Sequence, residues 1–269
     1  MNKKIGIIGC GNMGEALLCR LSDVMEKSTA LMVSETDTAR RDAIQAKYRI
    51  IVEIDNNYLV KYSDVIILAV KPQDLEKVLR QEVCCGVSGK KLLISIAAGV
   101  TTKHIEKVVG KDIPVIRAMP NMPAIIGEAI TSISAGGAAT REHLGIARYI
   151  FSAIGDVVEV DEKLVDAVTA ISGSGPAYFF YMIEALTEAA KKLRLDSDTA
   201  SKLVAKTALG SAKVLNALKE SPAQLRRRVT SKGGTTEAAI KVFEQKKLRK
   251  IIADAAAAAC TRSKELSKG

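Results

Sequence analysis

The sequence of 269 residues predicts an α/β protein in which a parallel sheet with helices on both faces precedes an all-helical part. The first 161 residues alternate short apolar runs with amphipathic stretches, which is typical of strands buried on both faces of a parallel sheet. A glycine-rich turn joins the first strand to the first helix. After Asp161 the strand signals stop and an alanine-rich helical pattern begins. We therefore expect two domains, residues 1–161 and residues 162–269.

The strands of the first domain are predicted from short apolar runs bounded by glycine, proline or polar residues. In chain order they cover residues 4–8, 30–34, 64–70, 91–96 and 113–117, and two shorter runs follow at 130–133 and 156–160. Amphipathic stretches predict helices from Asn12 to Met25 and from about Asp37 onward. Because continuous apolar strands separated by helices need cover on both faces, the sheet is expected to be parallel.

The second domain is predicted to contain helices only. Helical periodicity covers residues 176–193, 197–219, 222–228, 235–245 and 248–267. Pro176 suits the first turn of the first of these helices, where a missing N–H costs nothing. The many alanines are compatible with the close packing of an interwoven dimer and with an ordinary bundle. We expect such a domain to expose apolar surface as a monomer, so the chain should associate.

Composition excludes several classes of protein. With 48% apolar and 26% charged residues the chain is not disordered, and no run of 18 apolar residues offers a membrane span. The first apolar stretch is broken by glycines and lacks the features of a signal peptide, so a soluble cytoplasmic protein is expected. Five cysteines without a C-x-x-C pair and two histidines predict neither a metal site nor a disulfide framework.

The net charge of +10 is concentrated in one segment. Residues 219–250 hold ten Lys or Arg residues against three acids. This segment is interpreted as an electrostatic funnel for an anionic substrate and a phosphorylated cofactor, as a nucleic-acid footprint, or as a solvated surface. Phe243 is the one aromatic residue within it, so stacking on single strands is poorly supported and no nucleic-acid partner is expected.

The glycine-rich turn has the sequence Gly9-Cys10-Gly11-Asn12-Met13-Gly14, a G-x-G-x-x-G motif between a strand and a helix. In this pattern Gly9 permits the tight turn, Gly11 lets the backbone approach a pyrophosphate, and Gly14 lets helix and strand pack closely. The helix N-terminus supplies N–H donors and the positive end of a dipole. The motif therefore predicts a dinucleotide-binding site.

The end of the second strand is expected to choose the dinucleotide. Glu35 lies 21 residues beyond Gly14, where an acid binds the ribose 2′-hydroxyl of NAD. Ser34 could instead hydrogen-bond a 2′-phosphate, with Arg40 or Arg41 closing over it. Glu35 and Asp37 would repel that phosphate unless their carboxylates are turned away. The residues leave both interpretations open.

Two further segments follow strands at the carboxyl edge, where open α/β sheets bind ligands. They are Ala69-Val70-Lys71-Pro72 and Ala97-Ala98-Gly99. Small residues there would let a nicotinamide ring lie flat on the backbone. The alternatives are a surface lysine held by Pro72 and close packing at Ala97 and Ala98.

Two small-residue loops precede helices in the second domain, within residues 171–178 and 229–236. Each offers backbone N–H groups that suit an anion such as a carboxylate. Ser and Thr residues also cap helices routinely, which is the alternative for either loop taken alone.

The motifs together resemble those of pyrroline-5-carboxylate reductases, from one end of the chain to the other. They are the glycine-rich turn, Ala-Val-Lys-Pro (69–72), Ile-Ala-Ala-Gly-Val (96–100), Arg-Ala-Met-Pro-Asn-Met-Pro (117–123), Gly-Ser-Gly-Pro-Ala-Tyr (173–178) and Ser-Lys-Gly-Gly-Thr-Thr (231–236). The resemblance implies reduction of the cyclic imine 1-pyrroline-5-carboxylate to L-proline by NADPH, with NADH as a possible donor. It also implies a Rossmann-like domain followed by a helical dimerisation domain, with homodimers often assembling into decamers.

The resemblance also implies roles for individual residues. The cofactor would contact the glycine-rich turn, Ser34, Glu35, Asn56, the 69–72 segment with Lys71, and the alanines 97 and 98. Ser231, Gly233, Gly234 and Thr235 would hold the substrate carboxylate through backbone N–H groups. Thr236 would place its hydroxyl near the ring nitrogen as the catalytic residue. Glu162, at the domain junction, is a further candidate for substrate binding.

The chain departs from the family pattern at two positions. Lys232 stands where the family usually has Pro, and Arg227 stands where it commonly has an acid. Losing Pro removes a fixed φ, which predicts a looser carboxylate loop. The nearest rival, a β-hydroxyacid dehydrogenase, needs a catalytic lysine on the first long helix of the second domain. Here Lys191 and Lys192 lie near the far end of that helix.

Overall fold

The computed structural model describes residues 3–24 and 31–267. Their contacts divide the chain into two compact units. The first unit contains the residues up to Ser174 together with those from Ala259 onward, and the second contains Gly175–Ala258. Met25 and Ala30, the predicted ends of a helix and a strand, lie outside the described residues.

The first unit contains an eight-stranded sheet in the order β3-β2-β1-β4-β5-β6-β7-β8. The strands are β1 (Ile5–Ile8), β2 (Leu31–Ser34), β3 (Ile51–Glu53), β4 (Val65–Leu68), β5 (Leu92–Ser95), β6 (Val115–Met119), β7 (Ala129–Ala135) and β8 (Gly155–Glu159). The predicted parallel pairing is confirmed from β3 through β6, whereas β7 pairs antiparallel with β6 and parallel with β8. The strand order reverses at β1 and β4, which is where such sheets bind ligands.

Side chains that alternate along each strand bury both faces of this sheet. Ile5 and Ile7 of β1 belong to one buried cluster, and Ile8 belongs to the cluster on the other face. In β4, Ile67 and Ile66 divide between the same two clusters. Apolar side chains on both faces explain why the strands read as continuous apolar runs.

The helices of the first unit are α1 (Asn12–Val24), α2 (Thr38–Tyr48), α3 (Asn56–Tyr62), α4 (Pro72–Val78), α5 (Thr102–Val109), α6 (Arg141–Phe151) and α7 (Val165–Val168). Asp37, Asp55 and Thr101 each precede a helix and accept a hydrogen bond from an N–H group of its first turn. Strand β3 and helices α3 to α7 were not predicted individually from the sequence.

The second unit is helical, as predicted. It contains α8 (Gly175–Lys192), α9 (Ser197–Leu218), α10 (Pro222–Arg228), α11 (Thr235–Gln245) and the first part of α12 (Leu248–Leu266). Ser221 and Gln224 form a capping box at the start of α10, where Pro222 occupies the first turn. Within the described residues, the helices include none that is long and apolar enough to cross a membrane.

The end of α12 belongs to the first unit. Ser263, which is 4% exposed, donates its hydroxyl to Oδ1 of Asp166 at 2.7 Å. Leu266 lies against Gly99, so a Cβ on that glycine would be 3.0 Å from the Leu266 Cβ. Gly99 has φ +76°. These contacts attach residues 259–267 to α7 and to the loop that follows β5.

Candidate functional site

The loops that follow β1, β4 and β5 start from one edge of the sheet. Two backbone hydrogen bonds continue the parallel ladder beyond the strands: Ala69 N–H to the Ile8 carbonyl (2.8 Å) and Ile96 N–H to the Leu68 carbonyl (3.1 Å). Gly9 donates its N–H to the Ser34 carbonyl at 3.0 Å. The structure therefore brings the glycine-rich turn, the 69–72 segment and Ala97-Ala98 to the same carboxyl edge.

Each glycine of the G-x-G-x-x-G motif has its own geometry. Gly9 has φ +89°, and a Cβ there would lie 3.0 Å from Cγ1 of Val70. A Cβ on Gly14 would collide with the Gly9 carbonyl oxygen, so only glycine lets α1 start this close to the turn. Around Gly11 a Cβ would meet nothing within 4 Å. The open space at Gly11, beside the N-terminus of α1, fits the approach of a pyrophosphate to the backbone.

Cys10 contributes its backbone rather than its thiol to this turn. Its side chain is fully buried, and burial together with the nearby Glu15 carboxylate raises the pKa of the thiol to about 12. The thiol is therefore protonated at neutral pH. Asn12 and Met13 form the first turn of α1, whose N–H groups have no helical partners.

Ser34 is held inside the protein at the end of β2. The residue is 3% exposed, and its hydroxyl donates to Oδ1 of Asn56. The Asn56 amide donates in turn to the carboxylate of Glu82. Asn56 and Ser34, two predicted cofactor residues, are thus brought together. Glu82 was missed, because nothing in its local sequence links it to a strand end 48 positions earlier.

The carboxylate of Glu35 is turned toward the glycine-rich turn. Its two oxygens accept the N–H groups of Cys10 (3.2 Å) and Asp37 (3.0 Å). Asp37 uses its own carboxylate to accept the N–H of Arg40 at the start of α2. Arg41 donates to the Glu35 carbonyl at 3.3 Å. Both acids that could repel a 2′-phosphate are therefore engaged with backbone N–H groups.

The 69–72 and 97–98 segments offer small or exposed groups at this edge. Ala69 and Val70 are half-buried, Lys71 and Pro72 are exposed, and Pro72 is the first residue of α4. Ala97 is 4% exposed and Ala98 is half-buried. The exposed Lys71 is compatible with both the predicted cofactor contact and the alternative of a surface lysine.

In the second unit, the 231–236 loop closes on the helix that follows it. Gly233, at φ +74°, donates its N–H to the Glu237 carboxylate at 2.7 Å, and Gly234 donates to the Ser231 carbonyl at 3.0 Å. Within residues 3–24 and 31–267, no described hydrogen bond uses the N–H groups of Thr235 and Thr236. These two donors start α11 and are free to take an anion. The sequence analysis did not name Glu237, because it did not predict that this side chain would accept the N–H of Gly233.

Lys232 and Arg227, the two departures from the family pattern, are both exposed. Thr236 is half-buried in the first turn of α11, and Thr235 is exposed. The structure therefore places the predicted catalytic hydroxyl on the same residue as one of the two free backbone donors and next to the other.

Glu162 is engaged within the first unit. Its carboxylate accepts both the N–H and the hydroxyl of Thr102 at 2.7 Å, which stabilises the first turn of α5. Nη1 of Arg117, a residue 3% exposed, lies 3.6 Å from the same carboxylate. Nη2 of Arg117 lies 3.9 Å from Asp166. These contacts explain the position of Glu162 without a substrate. Among the described residues, no cluster of three or more His, Cys, Asp or Glu could hold a metal ion.

Comparisons with known proteins cover the whole chain. A family model described as pyrroline-5-carboxylate reductase dimerisation matches residues 162–266. A second model, described as NADP oxidoreductase coenzyme F420-dependent, matches residues 4–99. A pyrroline-5-carboxylate reductase from Synechocystis sp. is 45% identical over 271 residues, covering 100% of both sequences.

Solved structures agree with this similarity. A pyrroline-5-carboxylate reductase from Coxiella burnetii is 36% identical with a TM-score of 0.89, covering 100% of both chains. A Plasmodium falciparum pyrroline carboxylate reductase with NADP bound is 29% identical with a TM-score of 0.88, covering 99% of this chain and 98% of that one.

Proposed function

The chain belongs to the pyrroline-5-carboxylate reductase family, and we propose that it reduces 1-pyrroline-5-carboxylate to L-proline with NADPH, with NADH as an alternative donor. The observation that carries this proposal is 45% identity over the full length of a relative of that name. The open approach to Gly11 at the carboxyl edge supports a dinucleotide site in this chain. The NADP bound in the structure of the Plasmodium falciparum relative supports NADPH as the donor.

The first unit is proposed to bind the cofactor. The dinucleotide supplies the hydride when it is bound. The backbone from Gly9 to Gly14 holds its pyrophosphate at the N-terminus of α1. Ser34, Glu35 and Asn56 contact the adenosine part. The segments 69–72 and 97–98 lie along the nicotinamide, where small side chains permit close contact.

The second unit is proposed to bind the substrate carboxylate. The N–H groups of Thr235 and Thr236 donate to it, while Ser231, Gly233 and Gly234 shape the loop through their own backbone bonds. Thr236 holds the ring nitrogen with its hydroxyl or passes it a proton through water. A protonated imine is already an electrophile, so the enzyme mainly has to orient it, which is a large part of catalysis. Glu162 is a further proposed substrate-binding residue, and its carboxylate accepts the N–H of Thr102.

The chain is proposed to act as a homodimer, with dimers assembling into a decamer in the cytoplasm. The family model for residues 162–266 is described as dimerisation. On α8, Phe179 and Tyr181 are each 73% exposed in the single chain, which is unusual for large aromatic side chains. The five free cysteines suit a reducing compartment.

The test is the oxidation of reduced nicotinamide in the presence of pyrroline-5-carboxylate, run in parallel with NADPH and NADH and with proline measured as the product. We expect turnover with at least one donor. Binding of both dinucleotides without proline formation would refute the substrate assignment and leave the dinucleotide site standing.

The role of Thr236 is tested with Thr236→Ala, using Thr236→Ser as the matched control that keeps the hydroxyl. Loss of a hydrogen bond to a charged group predicts that kcat falls by about 10- to 100-fold in the alanine variant. The Kd of NADPH should stay within about twofold of the wild type, since the cofactor is assigned to other residues. Equal losses in kcat and cofactor affinity would contradict this role.

A further inference from the structure

One residue of the glycine-rich turn has both of its backbone polar groups bound by charged side chains. The N–H of Cys10 donates to Oε2 of Glu35 at 3.2 Å. The Cys10 carbonyl accepts a hydrogen bond from Nε of Arg40. Nε of Arg40 also lies 3.9 Å from Oε2 of Glu35. The acid and the base therefore hold the peptide groups on either side of Cys10, just before Gly11.

Glu15, one turn into α1, holds Arg40 in this place. Oε2 of Glu15 accepts from Nη2 of Arg40 at 3.0 Å. Oε1 of Glu15 accepts from Nζ of Lys47 at 2.9 Å and from the Tyr48 hydroxyl at 3.1 Å. The hydrogen bonds from Lys47 and Tyr48, together with the nearby charge of Arg40, keep the pKa of Glu15 below its ordinary value. Glu15 is therefore an anion at neutral pH and a strong partner for the guanidinium.

We propose that Arg40, held by Glu15, is a positioning residue that fixes the glycine-rich turn for the pyrophosphate, rather than the residue that binds a 2′-phosphate. The guanidinium is already engaged with the Cys10 carbonyl and the Glu15 carboxylate, and Glu35 lies beside it. A 2′-phosphate at Arg40 would be placed against two carboxylates, Glu15 and Glu35. This inference rests on the proposed binding of a dinucleotide.

The consequence is a specific pattern of cofactor affinities. A turn that is fixed before binding loses less conformational freedom when the ligand arrives, which raises affinity. The pyrophosphate is common to NADPH and NADH, so loss of the Arg40 contacts weakens both cofactors by the same factor. A residue that binds the 2′-phosphate would affect NADPH alone.

The experiment measures the Kd of NADPH and of NADH by nicotinamide fluorescence for the wild type, Arg40→Gln and Glu15→Gln. We expect both variants to raise both Kd values by about tenfold, as for the loss of one hydrogen bond to a charged group, with the ratio between the cofactors unchanged within about twofold. The kcat at saturating cofactor should stay within about twofold. Lys47→Gln is the matched control, because it removes a partner of Glu15 and leaves the Arg40 contacts in place.

A loss confined to NADPH would overturn the proposal, and so would unchanged affinities in both variants. If Arg40→Gln does not fold, Glu15→Gln still carries the test, since it preserves the shape of the side chain. A wild type that binds both dinucleotides but forms no proline would refute the proposed reaction. It would leave this inference to be decided by the binding data.

Discussion

Gly11 and Gly14 belong to one motif, yet alanine should lower cofactor affinity at Gly11 and thermal stability at Gly14. A methyl group on Gly14 would collide with the Gly9 carbonyl oxygen, which only a shift of α1 could relieve. Overpacking of this kind costs about 1–3 kcal/mol. Each kcal/mol lowers the Tm of a domain of this size by roughly 2–4 °C, so Gly14→Ala should melt roughly 2–12 °C below the wild type.

At Gly11 a methyl group meets nothing within 4 Å. Alanine is a poorer residue than glycine just before a helix, but it also restricts the unfolded chain, so the net change in stability should stay within about 1 kcal/mol. The same methyl group would occupy the proposed approach of the pyrophosphate. Losing one hydrogen bond to that anion costs about 1.5–3 kcal/mol, equivalent to roughly a 10- to 150-fold higher Kd for NADPH.

The assay pairs a fluorescence titration with NADPH and a thermal melt followed by circular dichroism for both variants. Gly11→Ala should lose affinity and keep its Tm, whereas Gly14→Ala should lose Tm. An affinity within about twofold of the wild type in Gly11→Ala would refute the placement of the pyrophosphate. A wild-type Tm in Gly14→Ala would refute the steric argument.

Three further predictions concern the Cys10 thiol, the Glu15 carboxylate and the number of chains in the assembly. The buried Cys10 thiol has a pKa of about 12, so only about one part in ten thousand should be thiolate at pH 8. Peptide mass spectrometry should therefore find Cys10 unalkylated by iodoacetamide and the exposed Cys85 alkylated. Equal labelling of the two cysteines would contradict this prediction. Since the folded pKa of Glu15 lies below its ordinary value of 4.5, its ionisation contributes stability that is complete above that pH and lost as the pH falls through the folded pKa. Denaturant unfolding should therefore show the advantage of the wild type over Glu15→Gln shrinking from pH 6 to pH 3, and a constant difference would count against it. Light scattering should find an assembly of at least two chains, and a uniform species with the mass of one chain would disprove the proposed dimer.

Local signals were enough to predict most elements. The five helices of the second unit start and end within one or two residues of their predicted limits, because Pro222 and the capping residues mark their ends in the sequence itself. Strands β1, β2, β4 and β5 were recognised because each lies in a nearly continuous apolar run, and β7 and β8 were predicted from shorter runs. Strand β3 escaped notice because three residues, Ile51–Glu53, are too short to show a pattern.

Features that depend on distant residues could not be predicted in this way. The antiparallel direction of β7 depends on how the chain returns to β6, which its apolar residues do not record. The motif identified the glycine-rich turn but not the contact between Glu15 and Arg40, because it joins side chains 25 residues apart. Arg40 was named from the sequence only as a residue that could close over a 2′-phosphate. Arg117 appeared only as part of a family motif, and its burial between Glu162 and Asp166 became visible in the folded chain.

The return of residues 259–267 to the first unit affects the order in which the protein is completed during synthesis. The Asp166 carboxylate receives its hydrogen bond from Ser263, 97 positions later. At about 5–20 residues per second, the ribosome needs roughly 5–20 seconds to make the intervening chain. During this interval Gly99 lacks the cover of Leu266. The nascent first unit therefore lacks the contacts of Ser263 and Leu266 until the whole second unit has been translated.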